Sequence, residues 1–122
     1  MKNAVVWSEI AVSDLKRATA FYEKLLDGEL KAEKFGPFEI ALFPHASDGI
    51  GGCLMKGEGY EPSAKGTVTY LAAVPGIDAA LERASSAGAK VLMPKMALPG
   101  NQGFIAHIRD CEGNRVGLHA MS

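Results

Sequence analysis

Cysteine is scarce in this chain. Only Cys53 and Cys111 occur, far apart in sequence. A disulfide-stapled secreted module needs more of them at closer spacing, so both are expected as free thiols of a reducing compartment. Charge of one sign is also missing: 13 Lys+Arg against 14 Asp+Glu leave a formal net charge of −1. Nucleic-acid-binding domains carry a large basic balance, so no nucleic-acid partner is expected. No apolar run approaches the roughly 20 residues that cross a bilayer. The start, Met1 to Ile10, has no long apolar stretch of the signal-peptide kind. The expectation is therefore no membrane partner and a cytoplasmic location. Histidine is limited to His45, His107 and His119, and no H-x-H, H-E-x-x-H or C-x-x-C spacing exists. What is present is ordinary: 48% hydrophobic and 22% charged residues over 122 positions, enough to exclude wholesale disorder and to fill one domain. A small-molecule or interaction function remains.

The apolar pattern runs through the chain twice. Segment 4–12 alternates as a strand. Ser13 and Asp14 then form a helix start. Leu15, Ala18, Tyr22, Leu25 and Leu26 recur at helical spacing, and Gly28 is the expected left-handed stop. Strands follow at about 29–35, 38–44 and 50–56, and residues 57–66 read as a linker. Segment 67–74 again alternates as a strand. Ile77, Ala80, Leu81 and Ala84 make a second helix ended by Gly88, and strands are expected near 90–93, 103–110 and 115–120. Val12 with Val74, Leu15 with Ile77, and Ala18 with Ala80 are each offset by 62. This predicts an α+β fold of one domain, 1–122, in which tandem βαβββ modules (repeats 4–57 and 66–121) form a curved mixed sheet around a cleft. Leu98 to Gly103 is either a lid beside that cleft or a plain connection.

Two stretches carry a resemblance. Val12-Ser13-Asp14-Leu15, Arg17-Ala18 and Phe21-Tyr22 match a first-helix signature. Asp110-Cys111-Glu112-Gly113-Asn114, followed by Val116-Gly117-Leu118, matches a last-hairpin signature, with Cys111 where proline is usual. Together they make the chain resemble the vicinal oxygen chelate superfamily: glyoxalase I, bleomycin-resistance proteins and extradiol dioxygenases. The resemblance spans about 4–120 and implies a homodimer that binds a small molecule. It also implies a metal held by the first and last strands of each half. Carried over one by one, those positions fall on Trp7, Thr69, Gly117 and near Gly52. None is a good ligand for a divalent cation. No metal ligand and no cofactor are therefore expected.

Strand alternation then predicts the cleft lining. Trp7 and Glu9 are placed there on the first strand, Thr67, Thr69, Leu71 and Ala73 on the fifth, and Arg115, Gly117 and His119 on the last. Substrate-binding candidates are Trp7, Gly52, Leu54, Thr69, Leu71 and Gly117. Glu9 and His119 are the candidate catalytic pair, a carboxylate base and an imidazole acid moving a proton between neighbouring carbons. His107 is read as a surface residue. Three functions compete. The first is a glyoxalase-like protein that binds a small metabolite, as a metal-independent lyase or isomerase. The second is a bleomycin-resistance-like protein that sequesters a small molecule without chemistry. The third is a metal-dependent lyase or dioxygenase with relocated ligands, Glu9 and His119 among them.

Overall fold

β1 (Trp7–Ala11) buries Ile10, with Val12 just beyond it, and leaves Trp7 and Glu9 exposed, as period-two alternation requires. The structure, a computed structural model, describes residues 1–122. α1 (Leu15–Leu26) starts at Asp14, whose carboxylate accepts the Arg17 N–H, and buries Ala18, Phe21, Tyr22 and Leu25. Its left-handed stop is Asp27 (φ 53°), one residue before the expected Gly28. The short polar side chain of aspartate tolerates that conformation. Three strands complete the first module: β2 (Lys31–Phe35), β3 (Phe38–Leu42) and β4 (Gly51–Lys56). The sheet order is β1-β4-β3-β2, with β1 parallel to β4 and the other pairs antiparallel.

The second module repeats this plan. It comprises β5 (Tyr70–Ala72), α2 (Ile77–Ser86), β6 (Lys90–Ala97), β7 (Phe104–Arg109) and β8 (Arg115–Ala120), in sheet order β5-β8-β7-β6. β6 runs four residues past the expected 90–93. It accommodates Pro94 through register shifts on either side of Met93. The segment expected as a lid or connection is one 3₁₀ turn, Pro99–Asn101, joining β6 to β7. The fold class is α+β, as expected: two four-stranded mixed sheets with two helices. Each helix packs on its own sheet and on the other helix, so one apolar cluster joins both modules. Leu54 lies fully inside that cluster, which removes it from the cleft lining expected of it.

The offset of 62 holds for the helices but not for the strands. Ser13 and Asp14 separate the buried Val12 from α1, whereas Val74, Pro75 and Gly76 separate the buried Ala73 from α2. The extra residue shifts β5 by one, and a shift of one turns every side chain to the other face. Leu71 therefore pairs with Leu118 on the core face, and Tyr70 pairs with Gly117 on the opposite face. Thr69 and Ala73 share the parity of Leu71. The expectation that Thr69, Leu71 and Gly117 look the same way is corrected by this register.

The turn between β7 and β8 fastens the modules together. Both oxygens of the Glu112 carboxylate are used: they accept the Ser13 N–H and O–H, the Asp14 N–H and an Arg17 guanidinium N–H. Asp110 accepts the Tyr22 hydroxyl, the Asn114 side-chain N–H and two N–H groups of its own turn. Asn114 donates to the Ala11 carbonyl and accepts the Ser63 N–H, so the linker is tied in as well. Burial pushes the Glu112 pKa up, but the hydrogen bonds from Ser13, Arg17 and Asp14 outweigh it and hold it at about 2, against an ordinary 4.5.

A carboxylate whose pKa is lowered by folding stabilises the protein above its unfolded pKa. That contribution is complete above about pH 4.5 and fades as pH falls toward 2. Glu112→Gln is expected to cost about 2 kcal/mol at pH 7, the scale of hydrogen bonds to a charged group. Urea titrations at pH 7 and pH 3 check this. The loss should be large at pH 7 and smaller at pH 3, and equal losses would remove the charge from the account.

Candidate functional site

Two glycines let two aromatic rings lie flat across the sheets. Trp7 pairs with Gly51, and a Cβ built on Gly51 would sit 2.9 Å from the indole. Tyr70 pairs with Gly117, and a Cβ there would overlap the phenol ring. Any side chain at either position would displace its ring, so glycine here serves close approach.

On the first sheet the indole N–H of Trp7 donates to Glu9 Oε2 at 3.2 Å, and the Tyr60 hydroxyl donates to Glu9 Oε1 at 2.8 Å. Both carboxylate oxygens are thus engaged, one by a side chain of β1 and one by the linker. Tyr60 also packs edge-on against Phe38, with ring centroids 5.4 Å apart, which seats the linker beside Ile40, Cys53 and Met55. Cys53, opposite Glu9 in register, is fully buried. Burial, then the Glu9 charge, pushes its thiol up to about 11, so it is not a thiolate at neutral pH.

On the second sheet the Tyr70 ring reaches over Gly117 to β7. Its hydroxyl lies 2.5 Å from His107 Nε2, and an Arg115 guanidinium N–H lies 2.7 Å from His107 Nδ1. A guanidinium only donates, so Nδ1 must accept. Burial, then the Arg115 charge, lowers the His107 pKa and keeps the ring neutral at pH 7. The ring proton therefore sits on Nε2 and is donated to the Tyr70 oxygen.

The candidate pair Glu9 and His119 is not brought together. Glu9 is held by Trp7 and Tyr60 on the first sheet, while His119 Nε2 donates to the Gln102 carbonyl at 2.7 Å on the second. The modules meet instead where the Ser8 and Thr69 hydroxyls stand 3.0 Å apart. A mainly apolar groove of about 690 Å³ opens at this seam. Trp7, Gly52, Thr69 and Leu71, all named as substrate-binding candidates, line it together with Tyr70. Gly117, also named, lies beneath the Tyr70 ring and does not line it. A smaller polar cavity of about 170 Å³ is bordered by Glu9, Lys65 and Arg115.

Two residues of the site escaped sequence reasoning. Tyr70 is absent from the expected cleft lining, and His107 is read there as a surface residue. The signal available was the third residue, Gly76, in the Val74-Pro75-Gly76 connection, which sets β5 parity.

The positions that the resemblance assigns to metal ligands can be revised by the same register. Val68, not Thr69, shares the parity of Tyr70. Cys53, not Gly52, shares the face of Glu9. Trp7, Val68, Cys53 and Gly117 offer one buried thiol and no imidazole or carboxylate. This donor set does not fit a catalytic divalent metal.

The family model described as Glyoxalase/Bleomycin resistance protein/Dioxygenase superfamily matches residues 4–118. Among solved structures, a glyoxalase I variant from Zea mays aligns with a TM-score of 0.69 at 22% identity over 95% of this chain. The chain spans 45% of that protein's length. UcmS2 aligns with a TM-score of 0.68 at 25% identity, covering 98% of both chains. The fosfomycin resistance protein FosX from Listeria monocytogenes aligns with a TM-score of 0.66 at 19% identity, covering 98% of this chain and 94% of its own. Another FosX structure holds Mn(II) and a dihydroxypropylphosphonic acid. No curated protein sequence matches this chain significantly.

Gly117→Ala is expected to lift the Tyr70 ring off β8 and break its bond to His107. The ring is 44% exposed and has room to swing, so the cost should be near the low end for overpacking, about 1 kcal/mol. Nuclear Overhauser contacts between the Tyr70 and His107 rings report the change. Contacts that survive in the variant would contradict the edge-on packing of the two rings over Gly117.

Proposed function

This chain belongs to the glyoxalase/bleomycin resistance protein/dioxygenase superfamily, and from that premise we propose that it binds a small organic molecule in the groove at the β1–β5 seam. One observation carries this reading. The groove has the volume and apolar lining of a small-molecule site, with Trp7 and Tyr70 as aromatic walls. Such walls give stacking area at low conformational cost, commonly about 0.5–1.5 kcal/mol beyond burial. Binding without proton transfer between Glu9 and His119 is favoured over lyase or isomerase chemistry by that pair, because each is held by other partners, Glu9 by Trp7 and Tyr60 and His119 by the Gln102 carbonyl.

The reading also takes binding to proceed without a metal at the family's ligand positions, since Trp7, Val68, Cys53 and Gly117 do not form a ligand set. Elemental analysis of protein purified without chelator is expected to give far less than stoichiometric zinc, manganese, nickel or iron. A stoichiometric transition metal would overturn this part.

Trp7 is the only tryptophan in the chain, so its fluorescence reports the groove directly. A small-molecule library screened by this signal is expected to yield ligands that quench or shift it. Trp7→Ala is expected to weaken those ligands about tenfold, the size of one lost aromatic wall. Circular dichroism should stay unchanged. Ligands whose affinity, measured by calorimetry, ignores Trp7→Ala would place binding elsewhere.

We propose also that the protein pairs with a second copy. Phe35, Val91 and Met96 remain exposed on the outer strands, surface that a partner copy would cover. Light scattering after size exclusion is expected to give twice the 12.9 kDa chain mass. A monomer at micromolar concentration would exclude this.

A further inference from the structure

The smaller, polar cavity of about 170 Å³ differs from the groove in the charges that border it. Two carboxylates, Glu9 and Glu61, and two cations, Lys65 and Arg115, line it. None of the four belongs to an ion pair, although opposite charges share one small volume. Their neighbours give the reason. The Glu9 carboxylate accepts from the Trp7 indole and the Tyr60 hydroxyl, and Arg115 gives one guanidinium N–H to His107. Trp7 and Tyr60 are neutral, and so is His107, whose pKa is lowered. These partners therefore fix the two charges in position without cancelling them. Both charges keep capacity for a further partner. A carboxylate accepts about four hydrogen bonds, and two are in use at Glu9. A guanidinium carries several donors, and Arg115 uses one. Glu61 and Lys65 come from the linker, which is pinned between them where the Ser63 N–H donates to Asn114 Oδ1 at 2.8 Å.

The balance of two charges of each sign decides what fits. A simple anion meets Lys65 and Arg115 but also Glu9 and Glu61, and a simple cation meets the reverse. Each is attracted by one pair and repelled by the other. A molecule that carries both charges is attracted by both pairs. We propose that this cavity binds a small zwitterion of the amino-acid class, its ammonium on Glu9 and Glu61 and its carboxylate on Lys65 and Arg115. The volume admits a molecule of about six heavy atoms, taking about 30 Å³ for each water-sized group, which is the size of alanine. The inference does not rest on the groove reading, because the cavity and its charged residues are different ones. The two sites adjoin, since Thr67 and Thr69 line both.

The probes are L-alanine and its two halves, propionate without the ammonium and isopropylamine without the carboxylate. Binding is read from the Trp7 indole N–H resonance, whose acceptor is Glu9 Oε2. An ammonium on that carboxylate competes for its charge and shifts the resonance. Alanine is expected to shift it saturably, and each half to bind about tenfold more weakly, the size of one hydrogen bond to a charged group. Either half binding as tightly as alanine would overturn the zwitterion. No saturable shift with alanine would overturn the site and leave the groove reading untouched.

Glu61→Gln and Lys65→Met are each expected to weaken alanine about tenfold. Both side chains are exposed, so circular dichroism should stay unchanged. Neither residue lines the groove. A shift that both variants keep would put alanine in the groove and overturn the cavity site. Lys65→Glu gives a readout that lost packing would not. It leaves three carboxylates against one cation, so the preference should turn from alanine to isopropylamine. An unchanged order of the probes in that variant would overturn the placement of the carboxylate on Lys65 and Arg115.

Discussion

The turn from Asp110 to Asn114 is the contact on which the rest of the structure depends. It lies at the end of the chain's second module, yet its carboxylates are spent on the first. Glu112 holds the start of α1 through Ser13, Asp14 and Arg17, and Asp110 holds Tyr22 about two turns further on. These bonds saturate backbone N–H groups that a helix N-terminus leaves open. They also place a negative charge where the helix dipole favours it. A module of about 60 residues buries too little surface to be secure alone. Fastening α1 to the far hairpin makes both helices close a single core. The two signatures seen in the sequence, one around Asp14 and one around Asp110, are thus the two halves of one joint.

Fixing that joint also fixes the seam. With Asn114 bonded to the Ala11 carbonyl at the end of β1, the β8 hairpin cannot slide along the first module. The Ser8 and Thr69 hydroxyls then meet at an offset of 61, the strand offset of the duplication. The helices keep an offset of 62, because Val74, Pro75 and Gly76 absorb the difference. The contact between Tyr70 and His107 depends on that single residue. Without it the β5 alternation would set Leu71 toward the open face and Tyr70 into the core, and the row with His107 could not form.

Much of this was legible in the sequence, and the boundary has a physical cause. Duplication, helix faces and the order of elements follow from apolar spacing, which burial enforces on every residue of an element. The positions of Trp7, Glu9 and Gly117 on their strands followed from the same alternation. Leu54 was misplaced, and Leu71 was put on the face of Gly117, because alternation gives two faces and does not say which is inside. Only pairing does that, and pairing is a long-range property. Ser8 with Thr69 and Tyr70 with His107 join residues whose contact depends on the register of a second strand. Glu9 and His119 looked like a pair because scarce titratable groups were matched by face. Their actual partners are a linker tyrosine and a loop carbonyl, which no periodicity marks.

Glycine explains why an aromatic site and the loss of metal ligands come together. Gly117 occupies the last-strand position where the resemblance puts a metal-binding side chain. A donor there would need a Cβ, and the space for that Cβ is filled by the Tyr70 ring. The same exclusion operates at Gly51 beneath Trp7. A ring lying across the strand and a ligand rising from it are alternative uses of one volume. Restoring a glutamate at 117 would therefore not rebuild a metal site by itself. It would first have to expel Tyr70, breaking the bond to His107. In this chain the volume at that position is taken by the Tyr70 ring, whose hydroxyl is bonded to His107.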